Sequence, residues 1–544
     1  MRPNSKRGTI EQKISKSFFC NALSVTSPED RRENLASREH LPYIECMVER
    51  QFSSADRSFF TDVARVVVTN PFTAERAEID TRLADVKPSE PHATRSVRVY
   101  ERVLERVEEL DGERTLTRDE FRGPDRDILS FTFLFLTYHR YLDDFDELIR
   151  AQVEAGADSL TVPFAERALA ELADRGFSHA DRLKNFALFY QLRRAYYFIH
   201  KLLGDSQCMC DLRGALWNNI FTSDIRWYNE FLWDRMEDFS TLVLGATGTG
   251  KGSAAAAIGR SGFIPYDDKR ARFRESFTRT FVSLNLSQFP EALIESELFG
   301  HKKGAFTGAV EDHPGVFATC SPHGSIFLDE IGEVGVPVQI KLLRVLQERL
   351  FTPVGSHEHR RFRGRVIAAT NRTIEELRTE NIFRDDFYYR LCSDVIVVPP
   401  LCQRIAEDPS ELEVLVDHTI ERTLGEKVPE LNKLALEAIE RHLGLDYEWP
   451  GNVRELEQCV RRILLKREYE GDRESIQSDL RSRLLAGIDK SAFDAAELLE
   501  AYCALLYERM GSYEQVARQT GLDRRTAKKY ILRQLERDRG EGSS

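Results

Sequence analysis

Hydrophobic positions along this chain change period more than once. From Phe52 to about Leu212 they recur at three- and four-residue steps, the spacing of one face of an α-helix, most clearly from Ile128 to Gln152 and from Pro163 to Gly204. Aromatic residues crowd these runs (Phe131, Phe133, Phe135, Tyr138, Tyr141, then Phe186, Phe189, Tyr190, Tyr196, Tyr197 and Phe198), which predicts a packed all-helical core. Beyond Ser240 the pattern shortens to continuous apolar runs. Leu242-Val243-Leu244, Phe281 to Leu284, Ile326-Phe327-Leu328 and Arg365 to Thr370 read as strands buried on both faces of a parallel sheet. Helical spacing returns up to about Glu470. It appears again in three short stretches, Ala492 to Met510, Ser512 to Arg518 and Asp523 to Gln534.

These shifts divide 544 residues, too many for one core, into several domains. The expected order is a loose polar leader (1–48), a helical N-terminal domain (49–211) and an α/β domain (212–470, its helical part from about 400). A linker (471–490) and a small all-helical C-terminal domain (491–540) follow. Leu212 to Phe239, with three of the four tryptophans, is expected to pack as helices against the α/β core. The longest apolar run, Ile128 to Tyr138, is too short to span a bilayer, and no apolar segment follows Lys6 and Arg7 as in a secretory signal. Nine cysteines without a framework of spacings read as reduced thiols, which places the chain in the cytoplasm. Cys208-Met-Cys210 lacks the second pair or histidine cluster of a zinc site. No alternation of strands and helices with an acidic cluster, as in a phospho-receiver, precedes the α/β domain. A net charge of −12 argues against a protein that coats nucleic acid, so any DNA contact has to come from a locally basic module.

Two stretches carry chemistry. The strand Leu242-Val243-Leu244 runs into Gly245-Ala246-Thr247-Gly248-Thr249-Gly250-Lys251, followed by an alanine-rich helical segment, Ser253 to Ile258. Glycines let backbone N–H groups close around phosphate oxygens at a helix N-terminus, and the lysine reaches the β- and γ-phosphates. After the lysine a hydroxyl that ligates Mg²⁺ is usual, but here Gly252 intervenes before Ser253. The strand Ile326 to Leu328 ends in Asp329 and Glu330. Adjacent carboxylates at a buried strand tip suit a Mg²⁺ ligand and a group that polarises the attacking water. Between the two lies Gly304-Ala305-Phe306-Thr307-Gly308-Ala309, where one exposed-looking aromatic is flanked by small residues and by glycines that permit a tight excursion.

The last stretch is a helix, a turn at Gly521-Leu522 and a second helix beginning at Asp523, a plausible cap. Arg524, Arg525, Lys528, Lys529 and Arg533 make that final helix basic, while Ala527, Tyr530 and Ile531 would face its core.

Together these motifs resemble the AAA+ domain of bacterial enhancer-binding proteins, the activators of sigma-54 RNA polymerase, over about residues 240 to 470. Gly304 to Ala309 matches that family's GAFTGA loop at every position, and Glu295 to His301 fits its flank. The fold implied is an α/β P-loop AAA+ core, a parallel sheet flanked by helices with a helical lid. An all-α N-terminal domain precedes it and an all-α helix-turn-helix of Fis type follows. The resemblance implies ATP and Mg²⁺ as cofactors. Gly245 to Ser253 would hold phosphates, Asp329 the metal, and Glu330 the water. Asn285 sits like the switch residue that hydrogen-bonds the catalytic glutamate. Thr370 and Asn371 match the sensor strand and Arg454 the second sensor in the lid. Arg384 and Arg390 match arginines supplied to a neighbouring subunit's site, which implies a ring, usually hexameric.

Gly304 to Ala309 would engage sigma-54. Arg524, Arg525 and Thr526 would reach base edges of double-stranded upstream DNA, Lys528 and Lys529 its phosphates, with Arg533 adding to the basic surface. Gly252 and Ala246 stand where the family usually has acidic residues, and Cys402-Gln403 where it has Arg-Glu. The implied function is an ATP-dependent activator that remodels closed promoter complexes. Alternatives are an AAA+ ATPase acting on another protein target, or a DNA-binding regulator with a weakened ATPase.

Overall fold

The computed structural model describes residues 50–379, 382–444, 446–467 and 494–541, with 469 and 484. The leader and nearly all of the expected linker lie outside the described residues. Helical spacing in the first region becomes α1 (Ser54–Val68), α2 (Ala74–Ala84), α3 (His92–Asp111), α4 (Gly123–Arg140), α5 (Leu142–Ala155), α6 (Ala165–Asp174) and α7 (His179–His200). Local signals set several starts: the Ser53 and Ser178 hydroxyls accept from Asp56 N and Asp181 N at 3.1 and 3.2 Å. The aromatic runs pack as expected, with Phe60, Phe133, Phe145 and Phe186 inside one core. A further helix, α8 (Gln207–Phe221), runs across the boundary placed at residue 211.

Five strands form one parallel sheet: β1 (Thr241–Leu244), β2 (Phe281–Asn285), β3 (Ser325–Asp329), β4 (Arg365–Thr370) and β5 (Asp394–Val397), in the order β2-β3-β4-β1-β5. β1 lies between β4 and β5, so the connections reverse direction there, and ligands of such sheets gather at the strand carboxyl ends beside that point. Helices α9 (Lys251–Gly259), α10 (Glu291–Phe299), α11 (Val336–Glu348) and α12 (Asp385–Leu391) complete this layer. At the opposite end of the sheet Arg365, buried, donates to the Phe239 carbonyl (2.9 Å), Asn219 Oδ1 (2.9 Å) and Thr241 Oγ1 (3.0 Å), and burial lowers its pKa to about 10.

The lid consists of α13 (Leu401–Glu407), α14 (Ser410–Leu424), α15 (Pro429–His442) and α16 (Asn452–Lys466) around Leu415, Ile420, Ile439, Trp449 and Leu456. Arg404 and Glu411 form a buried pair at 2.6 Å inside it. Glu411 also accepts from Ser206 N (2.9 Å), and Arg404 donates to the Leu203 carbonyl (2.8 Å). A buried pair needs such extra hydrogen bonds to hold its charges. The C-terminal helices are α17 (Ala495–Met510), α18 (Tyr513–Thr520) and α19 (Arg524–Glu541), with Gly521 at φ 71° between the last two. Cys503, Val516, Ala527 and Ile531 close their small core.

One feature departs from the sequence reading. The N-terminal helices do not keep a core to themselves: Ile264, Tyr266, Phe273 and Phe277, from the segment joining α9 to β2, are buried in it. A second core joins Leu188, Ala195 and Ile199 of α7 to Val243, Ala255 and Ile367 of the α/β layer. Among the described residues no helix is long and apolar enough to cross a membrane.

Candidate functional site

The phosphate loop leaves β1 at its carboxyl end. Gly248 and Gly250 have φ of 81° and 101°, a region that glycine enters without steric cost. Thr249 Oγ1 donates to the Ala246 carbonyl at 2.9 Å and pins the turn. Lys251 begins α9, is buried, and donates through Nζ to the Gly245 and Ala246 carbonyls at 2.8 and 3.2 Å. Burial lowers its pKa, opposed by Glu330 and Asp329. The N-terminus of α9 therefore faces the same loop as the ammonium, the arrangement that receives phosphate. Gly252 and Ser253 are both exposed, and a Cβ at Gly252 would meet Phe327 at 4.0 Å, an ordinary contact. Glycine is not demanded there by packing.

The lid closes over this loop through residues whose role the sequence reading missed. Asn452 Nδ2 donates to the Thr247 carbonyl at 3.0 Å, and Asn452 Oδ1 accepts from Leu401 N at 2.8 Å. A Cβ at Gly248 would collide with the Gly451 carbonyl oxygen and crowd Arg454. Arg454 itself is exposed and close enough to oppose the charge on Lys251. Asn452 is held with φ at 53°, a left-handed conformation uncommon for a residue with a side chain.

The acidic tip is assembled by register. β2 and β3 pair with Asn285 opposite Asp329. Asn285 Nδ2 accordingly donates to Asp329 Oδ2 at 3.3 Å, while its Oδ1 accepts from Ser287 N and Oγ at 3.0 and 2.7 Å. In this structure Asn285 thus contacts Asp329, where the sequence reading had it on Glu330. Glu330 has turned into the left-handed region at φ 56°, away from the strand direction, and meets the backbone of Asn371 instead. Burial raises the Glu330 pKa, offset in part by Lys251. Thr370, fully buried, ends β4 opposite Leu244, and Asn371 Nδ2 reaches Thr247 Oγ1 at 3.4 Å. The glycine-rich loop, the acidic pair and the Thr370-Asn371 end of β4 thus converge at one end of the sheet. Asp329 offers hard oxygen donors with lone pairs to spare after accepting from Asn285 and Glu330 N. Carboxylate oxygens of this kind suit a hard divalent cation such as Mg²⁺, which usually takes one or two carboxylates and fills its other positions with water and phosphate oxygens.

The two arginines expected to act together are placed differently. Arg384 is exposed and forks onto Asp386 at 3.0 and 2.8 Å. Its backbone N donates to buried Gln339, which the sequence reading did not single out, at 3.1 Å. Arg390 is half-buried, and both Nε and Nη2 donate to the Leu346 carbonyl of its own chain at 3.0 and 2.9 Å. That contact holds α12 against α11.

Gly304 to Ala309 forms a closed excursion outside the core. Gly304 N donates to the Ala309 carbonyl (2.8 Å) and Ala309 N to the Phe306 carbonyl (3.0 Å), with Gly304 and Gly308 at φ 80° and 102°. Phe306 is 37% exposed and rests edge-on against His301, ring centroids 4.9 Å apart. The base is fixed by reciprocal bonds between His301 and His313 (2.9 and 3.0 Å) and by Lys302 N on the Val354 carbonyl (2.9 Å). A rigid base carries a loop whose Thr307 and Val310 face solvent.

In the C-terminal helices Asp523 caps α19, accepting from Arg525 N and Thr526 N at 2.9 and 3.1 Å. The Thr526 hydroxyl is bound to the same carboxylate, and Arg533 pairs with buried Glu500 at 3.2 Å. Both are therefore engaged within the domain, while Arg525, Lys528 and Lys529 are exposed, Lys528 with its Nζ 5.6 Å over the Tyr513 ring. Arg524 pairs with Glu514 at 3.2 Å on the surface.

The sigma-54 interaction domain family matches residues 232–397, and the AAA+ ATPase lid domain family matches 407–491. The chain is 43% identical over 229 residues to the Nif-specific regulatory protein of Azotobacter vinelandii, covering 42% of this chain and 40% of that protein. It is 39% identical over 228 residues to the DNA-binding transcriptional regulator NtrC of Azospirillum brasilense, covering 42% and 43%. It is 39% identical over 227 residues to the transcriptional regulatory protein GlrR of Escherichia coli, covering 41% and 47%. The chain thus spans less than half the length of the curated relatives it matches. Within that span, it carries a sigma-54 interaction domain followed by an AAA+ ATPase lid domain, homologous to those of Nif-specific and NtrC-type regulators.

Proposed function

We propose that this chain is an ATP-hydrolysing transcriptional activator that binds DNA upstream of a promoter and remodels closed complexes of sigma-54 RNA polymerase. The observation that carries the reading is the exposed Phe306 loop on the same α/β layer as a convergent phosphate loop and acidic strand tip.

Lys251 and the α9 N-terminus would hold the phosphates, and Asp329 would hold Mg²⁺, which would supply neutralisation of phosphate charge. Glu330, its pKa raised by burial, accepts a proton from the attacking water. Asn285 reports on the metal-binding carboxylate it touches. Arg384, exposed and fixed through Gln339, is the better placed of the two arginines to enter a neighbouring subunit's site, so the active form is a ring, with six copies as the working number. Thr370 and Asn371 on the sheet side and Arg454 on the lid side read the γ-phosphate. Hydrolysis then moves the loop carrying Gly304 to Ala309. Arg525, Lys528 and Lys529 of α19 meet double-stranded DNA, and the N-terminal helices regulate the ATPase.

Subunit mixing tests the shared site. Arg384→Ala and Lys251→Ala proteins, each inactive alone, are expected to recover ATPase activity when combined, because intact sites then form between unlike neighbours. No recovery at any ratio would contradict a trans-acting arginine. Absence of wild-type turnover with Mg²⁺-ATP would instead favour a DNA-binding regulator with a weakened ATPase, the reading to which Gly252 points.

A further inference from the structure

The far end of the phosphate-loop helix is held by two side chains of α7. Arg194 donates through Nη1 to the Arg260 carbonyl and through Nη2 to the Gly262 carbonyl, both at 2.6 Å. Gln191 Nε2 donates to the Ser261 carbonyl at 2.8 Å. Three successive carbonyls beyond the end of α9 are thus satisfied by one turn of a helix from the N-terminal domain. Gln191 is fixed in turn by Tyr228, whose hydroxyl donates to Gln191 Oε1 at 2.9 Å.

Arg194 is an expensive choice for a structural peg. It is 0% exposed, and among the described residues its guanidinium has no carboxylate partner, only the two carbonyls and the rings of Tyr190 and Phe277 at 4.5 and 5.6 Å. Burial lowers its pKa to about 10, which leaves it charged at neutral pH. A buried charge without a counter-ion is normally unfavourable, and here the negative end of the α9 dipole and the two ring faces offset part of that cost. The charge therefore depends on where the end of α9 sits. That helix is nine residues, a rod of about 13 Å, and Ala254, Ala255 and Ala257 along it are buried among neighbouring elements. A shift of its carboxyl end is carried to Lys251 at the other.

We propose that Arg194 and Gln191 are positioning residues through which the N-terminal helical domain sets the affinity of the phosphate loop for nucleotide. Whatever acts on that domain then changes nucleotide occupancy by moving α7 against α9. The inference rests on the ATPase reading above and adds the route of its regulation. Coupling of this kind is reciprocal, so nucleotide binding must also alter the protection of α7.

The test uses the full chain, a fluorescent ADP analogue as the nucleotide, and amide hydrogen exchange over residues 179–200. In wild type, saturating nucleotide is expected to change exchange across α7. Arg194→Met is expected to weaken nucleotide binding about fivefold or more and to abolish that change, with Arg194→Lys intermediate. Gln191→Leu, which keeps the arginine, reports on the same route if Arg194→Met fails to fold. Exchange over 179–200 that ignores nucleotide in wild type would overturn the coupling, as would affinities of Arg194→Lys and Gln191→Leu both within about twofold of wild type. A wild-type chain that binds no nucleotide would overturn the ATPase reading, and the coupling with it.

Discussion

At the scale of single residues, partners separate side chains that look alike in sequence. Arg384 caps the start of α12 and Arg390 lies in its last turn, yet one ends in solvent beside Asp386 and the other is spent on the Leu346 carbonyl. Arg384→Ala is therefore expected to abolish ATP hydrolysis with nucleotide binding and melting temperature unchanged. Arg390→Ala is expected to lose about 1–2 kcal/mol of stability as well, the usual cost of removing a part-buried charged donor. Paired ATPase and thermal-melt measurements check both, and identical melting behaviour of the two variants would count against this division.

His139 provides a pH test remote from the site. It is half-buried against Phe135, the ring centroids 3.9 Å apart, and burial lowers its pKa from 6.5 to about 3. In the unfolded chain it takes up a proton below pH 6.5 and in the folded chain it does not. Its contribution to stability is thus lost progressively as pH falls from 6.5 toward 3, by about 3 kcal/mol at pH 4. Urea unfolding of wild type and His139→Gln across that range should show the difference narrowing as the pH is lowered, and parallel curves would refute it.

At the scale of elements, much of the site was legible in order along the chain and little of it in three dimensions. Four of the five strands, the phosphate loop, the acidic pair and the Phe306 excursion each declared themselves through a local pattern, whereas the edge strand Asp394–Val397 did not. The partner of Asn285 did not, because it follows from which residue stands across the strand pair and from the left-handed turn at Glu330. The lid contact through Asn452 and Gly451 was equally hidden, since it joins segments about two hundred positions apart. Gly248 shows how tight that contact is. Gly248→Ala adds a Cβ at φ 81°, against the Gly451 carbonyl. The left-handed backbone alone costs about 1 kcal/mol, and the collision is expected to hold the lid open and weaken nucleotide binding roughly tenfold or more. Titration with labelled ADP decides this. Wild-type affinity in Gly248→Ala would mean that the lid does not close on the loop.

Across the whole molecule, the segmentation read from the hydrophobic period placed a separate helical domain in front of an α/β domain. The packing shows two cores shared across that boundary. Residues 260 to 280 carry no motif, and their role in burying Tyr266 and Phe273 against Phe186 and Tyr190 is a matter of long-range contact that no local pattern announces. Removing residues 51 to 204 would expose Ile264, Tyr266, Phe273 and Phe277, each worth about 1.5–3 kcal/mol when buried. The truncated protein is expected to aggregate or melt well below the full chain. A soluble truncation with an unchanged melting temperature would show that the helical domain is an independent appendage.

The claim on which the functional reading depends is that nucleotide state at the sheet's carboxyl end controls the Phe306 loop and its grip on sigma-54. Capture of purified sigma-54 by the full chain, with ADP or with ADP–aluminium fluoride as a mimic of the hydrolysis transition state, measures this directly. The expected result is capture with ADP–aluminium fluoride alone, lost in Thr307→Ala although that variant still binds the mimic. Equal capture by Thr307→Ala, or capture by wild type indifferent to the nucleotide, would contradict it.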